Sequence, residues 1–201
     1  MTDALASLSR EIAACTICAE HLPLGPRPVT RLKPDARLLI IGQAPGTKVH
    51  ETGIPWNDPS GDRLRGWLGV DRATFYDSPR IAIMPMGFCY PGRLPKGGDA
   101  PPRPECAEAW HGRALDLMKR IELTLLVGTY AQGRYLPHTG SRSRRPSMTP
   151  AVENWREYGP GLLPLPHPSW RTTGWQKRHP WFDRDVLPVL RDRVHGILHG
   201  S

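Results

Sequence analysis

Two short loops contain residues that could do chemistry, and each follows a predicted strand. The first is Gly42-Gln43-Ala44-Pro45-Gly46, in which glycine lets the backbone approach a ligand and proline stiffens the turn. The second contains His167-Pro168-Ser169, which offers an imidazole for hydrogen bonding. Because open α/β sheets bind ligands beside the carboxyl ends of their strands, this pairing predicts a small pocket built from both loops.

The elements that must position these loops alternate along the chain. Apolar residues at three- and four-residue spacing predict helices over residues 3–14, 60–68, 105–119, 128–135 and 181–198. Short apolar runs predict strands over residues 36–41, 80–84, 122–127 and 161–165. Residues 90–104 and 137–160 lack such a pattern and are expected to form loops. The alternation predicts an α/β fold, a four-stranded parallel sheet with right-handed crossovers and helices on both faces.

Composition and charge restrict the class of protein. A chain of 201 residues fits one domain, residues 1–201, and its 39% hydrophobic content is enough for a core. The formal net charge of +8 favours a polyanionic partner such as nucleic acid. The sequence has neither a signal peptide nor an apolar run of transmembrane length, so we expect the reducing cytoplasm as its location.

Four cysteines form a second group with chemical potential. Cys15 and Cys18 make a C-x-x-C at the end of the first predicted helix, whereas Cys89 and Cys106 follow the predicted strand 80–84. Four thiolates can bind an iron-sulfur cluster or tetrahedral zinc, and the sequence alone does not separate the two. Four unrelated buried thiols are the other interpretation, because free cysteine is often simply a small core residue.

The two loop motifs resemble those of the uracil-DNA glycosylase superfamily. In its iron-sulfur families, Gly-Glu-Ala-Pro-Gly is followed after six residues by Gly-x-Pro-Phe; here six residues separate Gly42–Gly46 from Gly53-Ile54-Pro55-Trp56. The superfamily's His-Pro-Ser or His-Pro-Ala loop is similar to His167-Pro168-Ser169. The resemblance covers most of the chain and is greatest to the thermophile-type iron-sulfur families of bacteria and archaea. It implies a monomer with a three-layer αβα fold.

The resemblance also implies how each loop contributes to hydrolysis of the N-glycosidic bond of uracil in DNA. Trp56 stands where the family places a ring that stacks on the flipped base, with a core position under the loop as the alternative. His167 would donate a hydrogen bond to uracil O2 as charge builds on the leaving group, and Gln43 would contact the base or hold a water. The implied base-site residues are Gly42, Ala44, Pro45, Gly46, Trp56, Phe88 and Ser169.

One departure from the family pattern concerns the catalytic carboxylate. The acidic position of the first motif is Gln43 here, and an amide cannot serve as a general base. Asp58 is our candidate, because Asp58-Pro59-Ser60-Gly61 resembles the Gly-Asp-x-Ser-Gly run of another branch, with a one-residue gap. That carboxylate would orient water and stabilise a cationic sugar. The alternative is that Asp58 only caps the helix that follows it. Glu51 and Asp62 are weaker candidates for the catalytic carboxylate.

A second departure concerns recognition of the base. Many members carry an Asn just before the third cysteine to read the uracil edge, and Pro85 takes that position here. We expect backbone groups near residues 86–88 to substitute. Hypoxanthine, xanthine or another deaminated or damaged base therefore stays open as the substrate.

The segment after His167 mixes aromatic and basic residues. In the family this loop enters the duplex and takes the place of the flipped nucleotide. Trp170 or Trp175 is expected to wedge into the duplex or stack on its bases. The alternative for Trp175, and for Trp181, is burial against the last helix. The residues expected on phosphates are Arg171, Lys177 and Arg178. A further basic cluster, Arg142, Arg144 and Arg145, is interpreted as a solvated loop, with DNA contact as the alternative.

The cysteine arrangement completes the resemblance. An early C-x-x-C and a later, widely spaced pair are similar to the ligands of the 4Fe-4S cluster in those families, which implies Cys15, Cys18, Cys89 and Cys106 as ligands, with zinc as the alternative. The resulting hypothesis is a DNA-repair glycosylase. Two rivals stay open: a catalytically weakened member that binds uracil-containing or single-stranded nucleic acid, and a metal-stabilised protein that binds nucleic acid nonspecifically.

Overall fold

The computed structural model describes residues 2–137 and 147–200 of the chain. The described strands are β1 (Leu38–Ile41), β2 (Ile81–Ile83), β3 (Leu123–Val127) and β4 (Leu162–Leu165). They form one parallel sheet in the order β2-β1-β3-β4. Each strand lies inside a predicted one, so the predicted sheet is confirmed. The basic cluster Arg142, Arg144 and Arg145 falls outside the described residues.

Helices fill most of the connections between the strands. The described α-helices are α1 (Thr2–Ala13), α2 (Thr47–Thr52), α3 (Pro59–Leu68), α4 (Arg72–Asp77), α5 (Pro104–Cys106), α6 (Gly112–Leu117), α7 (Thr129–Tyr135), α8 (Met148–Glu153), α9 (Thr172–Arg178) and α10 (Leu187–His199). Two π-helical segments, Ala107–His111 and Phe182–Val186, precede α6 and α10. Two 3-10 segments are Ala19–His21 and Trp155–Tyr158.

The alternating side chains of β1 show why the fold has three layers. Leu38 and Ile40 pack in a core cluster with α3 and α10, whereas Leu39 and Ile41 pack in a second cluster with α1, α6 and α7. Successive strand residues point to opposite faces, so a strand that is apolar throughout must be covered on both sides. All four side chains are fully buried, and burying each contributes roughly 1.5–3 kcal/mol. The predicted αβα layering is thereby confirmed.

The differences from the predicted helices have local causes. Four helices of six or seven residues, α2, α4, α8 and α9, were not predicted, because so few residues show too little periodicity. The expected loop 137–160 therefore contains α8 and the 3-10 segment Trp155–Tyr158. The π turn before α10 lies directly ahead of Pro188, whose ring nitrogen cannot donate to the carbonyl of Arg184 and thereby interrupts the α pattern.

The strand order decides where a ligand can bind. β1 lies between β2 and β3, so the strands that follow β1 in sequence are placed on both sides of it. Loops diverge at such a switch point and leave a crevice at the carboxyl ends of the strands. The first motif loop follows β1, and the His167 loop follows β4 at the same end. Within the described residues, no helix is both long and apolar enough to span a membrane.

Candidate active site

A cavity of about 430 Å³ opens at this end of the sheet. Both predicted loops line it, together with Pro85 after β2 and a segment around Asp99 that the sequence analysis did not single out. The predicted site residues that line it are Gly42, Gln43, Ala44, Pro45, Gly46, Trp56, Asp58, His167, Ser169, Trp170 and Arg171. The weaker acidic candidates Glu51 and Asp62 are not among its lining residues.

Trp56 forms part of the cavity wall and has an unusual backbone. Its φ of 57° lies in the left-handed region, which bulky side chains rarely adopt. Two hydrogen bonds hold the turn: the Tyr76 hydroxyl donates to the Pro55 carbonyl at 2.9 Å, and Arg65 Nη1 donates to the Trp56 carbonyl at 3.2 Å. Arg65 itself is only 5% exposed. Such strain persists only where surrounding contacts enforce it, and it is typical of functional sites.

The ring of Trp56 rests on the first motif loop. A β-carbon added at Gly42 would lie 2.7 Å from Cζ2 of Trp56, so glycine is required for this contact. The ring of His167 is 5.9 Å away between centroids and tilted by 35°. Trp56 also packs against the α3 and α10 core cluster. Trp56 therefore packs against the core and lines the cavity at the same time.

Asp58 is the N-cap of α3 as well as a cavity residue. Its Oδ1 accepts a hydrogen bond from the Gly61 amide at 2.8 Å, and Pro59 begins the helix with φ suited to that position. A β-carbon at Gly61 would lie 1.8 Å from the Trp56 carbonyl oxygen. The Asp-Pro-Ser-Gly run thus fixes the carboxylate and makes room for the Trp56 turn at the same time.

His167 belongs to the second motif loop, whose backbone is held by two hydrogen bonds. The Thr172 hydroxyl donates to the His167 carbonyl, and Arg63 on α3 donates from Nη1 to the Ser169 carbonyl at 2.9 Å. Burial lowers the pKa of His167, while the negative charges of Asp58 and Asp99 oppose that shift. The lowered pKa favours a neutral imidazole, which can donate a hydrogen bond without adding a positive charge.

Asp99 reaches the cavity on a hairpin formed by residues 92–100. Arg93 and Asp99 pair as an antiparallel bridge, and the Ala100 amide donates to the Gly92 carbonyl at 2.8 Å. The carboxylate Oδ2 of Asp99 lies 3.6 Å from the position of a β-carbon at Gly46. Residues 92–100 show no periodicity, and no sequence signal indicated that this segment folds over the cavity.

The expected base-reading segment is arranged differently from the prediction. Phe88 is only 1% exposed and stacks on His111, with centroids 5.6 Å apart, so its side chain packs in the core instead of lining the cavity. The amides of Met86 and Gly87 donate to the carbonyls of Gly42 and Gln43, both at 2.9 Å. The Phe88 amide donates to Cys106 Sγ at 3.4 Å. These three amides are already bonded, whereas Gln43 and Pro85 line the cavity.

His111 supports this segment from behind and was missed by the sequence analysis. Its Nε2 lies 3.1 Å from the Pro85 carbonyl, and its Nδ1 lies 2.5 Å from the Tyr135 hydroxyl. A carbonyl can only accept, so Nε2 carries the proton and Nδ1 accepts from the hydroxyl. Burial lowers the pKa of His111 to about 4. The side chain is therefore a neutral support for Pro85, which lines the cavity.

The residues expected to touch DNA separate into exposed and buried groups. Trp170 is 77% exposed beside the cavity, and the Arg171 guanidinium carbon lies 5.5 Å from its ring centroid. Lys177 and Arg178 are exposed in the last turn of α9. Trp175 is buried, and its indole nitrogen donates to the Thr149 hydroxyl at 2.8 Å. Of the two tryptophans considered for the wedge, only Trp170 is accessible.

The four cysteines are near enough to one another for their charges to interact. Cys18, Cys89 and Cys106 are buried and Cys15 is half-buried. Burial raises the pKa of Cys106 to about 12 and that of Cys89 to about 11, and the neighbouring cysteines add to both shifts. Within residues 2–137 and 147–200, no group of three or more His, Cys, Asp or Glu side chains is arranged to hold a metal ion. The thiols are neighbours without forming a closed ligand set.

Together, the fold and the cavity define an α/β protein with a ligand site at the carboxyl ends of a parallel sheet. Residues 29–191 match the family model of the Uracil DNA glycosylase superfamily. Because the match covers more than half of the chain, this protein belongs to that superfamily. The matched region contains both motif loops and the hairpin. Membership supports a glycosylase type of function, with DNA as the general class of substrate.

Proposed function

We propose that this protein is a monomeric DNA glycosylase that hydrolyses the N-glycosidic bond of uracil, or of a related deaminated base, after the nucleotide is flipped into the cavity. The observation that carries the proposal is that Trp56, Asp58 and His167 line one cavity. These residues come from two distant parts of the sequence. They supply an aromatic surface for the base, a carboxylate for water and a hydrogen-bond donor for the leaving group.

The reaction requires one bond to break and another to form. The bond between the sugar C1′ and the base nitrogen breaks, and both electrons leave with the base. The imidazole of His167 is neutral because burial lowers its pKa. Its N–H donates a hydrogen bond to the anion that develops on the leaving base. Water attacks C1′ and its proton passes to Asp58, whose position is fixed by the Gly61 amide. Gln43 then serves to contact the base, since its amide cannot accept that proton.

The exposed basic residues extend the proposal to DNA binding. Arg171, Lys177 and Arg178 would contact phosphates around the flipped nucleotide, and Trp170 would fill the gap that it leaves in the duplex. The exposure of all four side chains supports this assignment. A net charge of +8 favours the same partner.

The four cysteines would hold a structural 4Fe-4S cluster, as in the iron-sulfur families that the sequence resembles. Four thiolates are the kind of donor that such a cluster takes, and the Phe88 amide that donates to Cys106 Sγ is the kind of bond that stabilises a thiolate ligand. When bound, the cluster would tie the end of α1 to the segment after β2 and to α5. Zinc is the alternative occupant.

A panel of oligonucleotides tests the substrate class. Each would contain one uracil, hypoxanthine or xanthine, in single- and double-stranded form, and released base would be measured by mass spectrometry. Release of uracil supports the proposal as stated. Release of hypoxanthine or xanthine alone would show a glycosylase for that deaminated base in place of uracil. Binding to uracil-containing DNA without release of any base would instead favour a reader that has lost the chemistry.

A further inference from the structure

The hairpin of residues 92–100 bridges the two motif loops and carries a carboxylate into the cavity. Its Asp99 faces Gly46 in the first loop, with Oδ2 3.6 Å from the position of a β-carbon there. Its Gly98 lies against Arg171 of the His167 loop, where a β-carbon would be 3.1 Å from Nη1. A segment that contacts both loops forms part of the wall around any nucleotide bound between them.

Asp99 differs from the other acidic residues nearby. Asp58 has one carboxylate oxygen committed to the Gly61 amide. Asp62 forms an ion pair with Arg65 and is not among the residues that line the cavity. Among residues 2–137 and 147–200, the charged or titratable side chains that line the cavity are Asp58, Arg93, Asp99, His167 and Arg171. Asp99 is thus a second carboxylate of the cavity, on a different element from Asp58.

We propose that Asp99 is a second catalytic carboxylate, which the hairpin presents to the sugar of the flipped nucleotide. This inference rests on the proposed glycosylase function. As the bond between C1′ and the base breaks, positive charge develops on the sugar ring, and a negative charge beside it stabilises that state. Asp99 accepts no proton in this role, because Asp58 receives the proton of the attacking water.

The charge of Asp99 already acts within the cavity in the absence of DNA. It opposes the lowering of the His167 pKa, as does the charge of Asp58. Asp99 therefore also helps to set the protonation of the group that stabilises the leaving base. In the iron-sulfur families that the sequence resembles, the position of Gln43 is a glutamate. Asp58 and Asp99 together would supply the negative charge that Gln43 cannot.

Single-turnover release of uracil by Asp99→Asn tests the proposal, with Asp192→Asn as the matched control, because Asp192 is exposed on α10 outside the cavity lining. We expect Asp99→Asn to be roughly 10- to 100-fold slower, with DNA affinity unchanged or tighter, and Asp192→Asn to match the unmodified protein. Asp99→Glu should recover part of the rate. An equal rate for Asp99→Asn in an active protein would overturn the role of Asp99 alone, whereas an inactive unmodified protein would overturn the glycosylase proposal too.

A second measurement tests the position of Asp99 without reference to activity. In a protein with isotope-labelled histidine, the pKa of His167 can be read by NMR titration and assigned with His167→Ala. Removing the negative charge in Asp99→Asn should lower that pKa, and Asp192→Asn should leave it unchanged. An unchanged His167 pKa in Asp99→Asn would show that the carboxylate does not face the cavity and would overturn the inference.

Discussion

The ring of Trp56 lies directly on Gly42, so close that a β-carbon at Gly42 would approach Cζ2 of Trp56 to 2.7 Å. Gly42→Ala should therefore displace the ring from the cavity wall and slow base release. Gly66→Ala is the matched control, because a β-carbon there meets nothing within 4 Å and alanine suits a helix better by about 0.5–1 kcal/mol. Single-turnover rates and thermal melting would compare the two, and equal rates would show that the position of Trp56 is unimportant.

Asp58 offers a way to separate capping from catalysis. Asp58→Asn keeps a good N-cap, so stability should change little while base release falls on the order of 10²- to 10⁴-fold. Asp58→Ala should lose the same activity and also about 1 kcal/mol of stability, because the Gly61 amide loses its acceptor. Thermal melting and single-turnover kinetics measure the two effects. A normal rate in Asp58→Asn would remove this residue from the mechanism.

His111 should make stability depend on pH. Its pKa is lowered by burial to about 4 in the folded protein, whereas an exposed histidine titrates near 6.5. Between those values only the unfolded chain binds the proton, so the free energy of unfolding falls as the pH decreases from about 6.5 and levels off below 4. The full loss from this side chain is about 3 kcal/mol.

The matching variant is His111→Gln, which cannot titrate. Denaturant unfolding of both proteins at several pH values between 4 and 7 would give the difference in their free energies of unfolding. We expect the unmodified protein to lose stability relative to His111→Gln as the pH falls. Parallel curves for the two proteins would contradict a buried neutral imidazole at this position.

The cysteine proposal predicts a visible cofactor. Aerobically purified protein should be brown, with broad absorbance near roughly 400 nm and with iron and sulfide in similar amounts. Cys89→Ser should lose colour and iron together, because each of the four thiolates would be a ligand. Metal analysis and absorbance provide the test. Colourless protein with stoichiometric zinc would exclude the cluster and leave a zinc site, and metal-free protein would support the interpretation of four buried thiols.

The sheet could be predicted from sequence because its signal is local. A parallel strand buried on both faces is apolar throughout, and the run that becomes Leu38–Ile41 shows this pattern without reference to the rest of the chain. Short helices such as α2 and α9 carry no comparable signal. Their positions depend on the motif loops that precede them and on contacts with distant residues.

The cavity could be predicted only in part. Motif order placed Trp56, Asp58 and His167 near one another, because loops after parallel strands meet at one end of a sheet. The sequence could not show that Phe88 turns into the core, since a motif gives the order of residues and not the face on which each lies. Nor could it reveal Asp99, whose place depends on contacts with Gly46 and, through the hairpin, with Arg171.

Release of free uracil by the unmodified protein, His167→Ala and His195→Ala tests the central claim most directly. His195 is exposed on α10 outside the cavity lining, so its variant controls for the loss of a histidine. A single-turnover experiment on an oligonucleotide with one deoxyuridine should show release by the unmodified protein and by His195→Ala, and a much slower reaction for His167→Ala. Release that does not depend on His167, or no release of any base by the unmodified protein, would contradict the account.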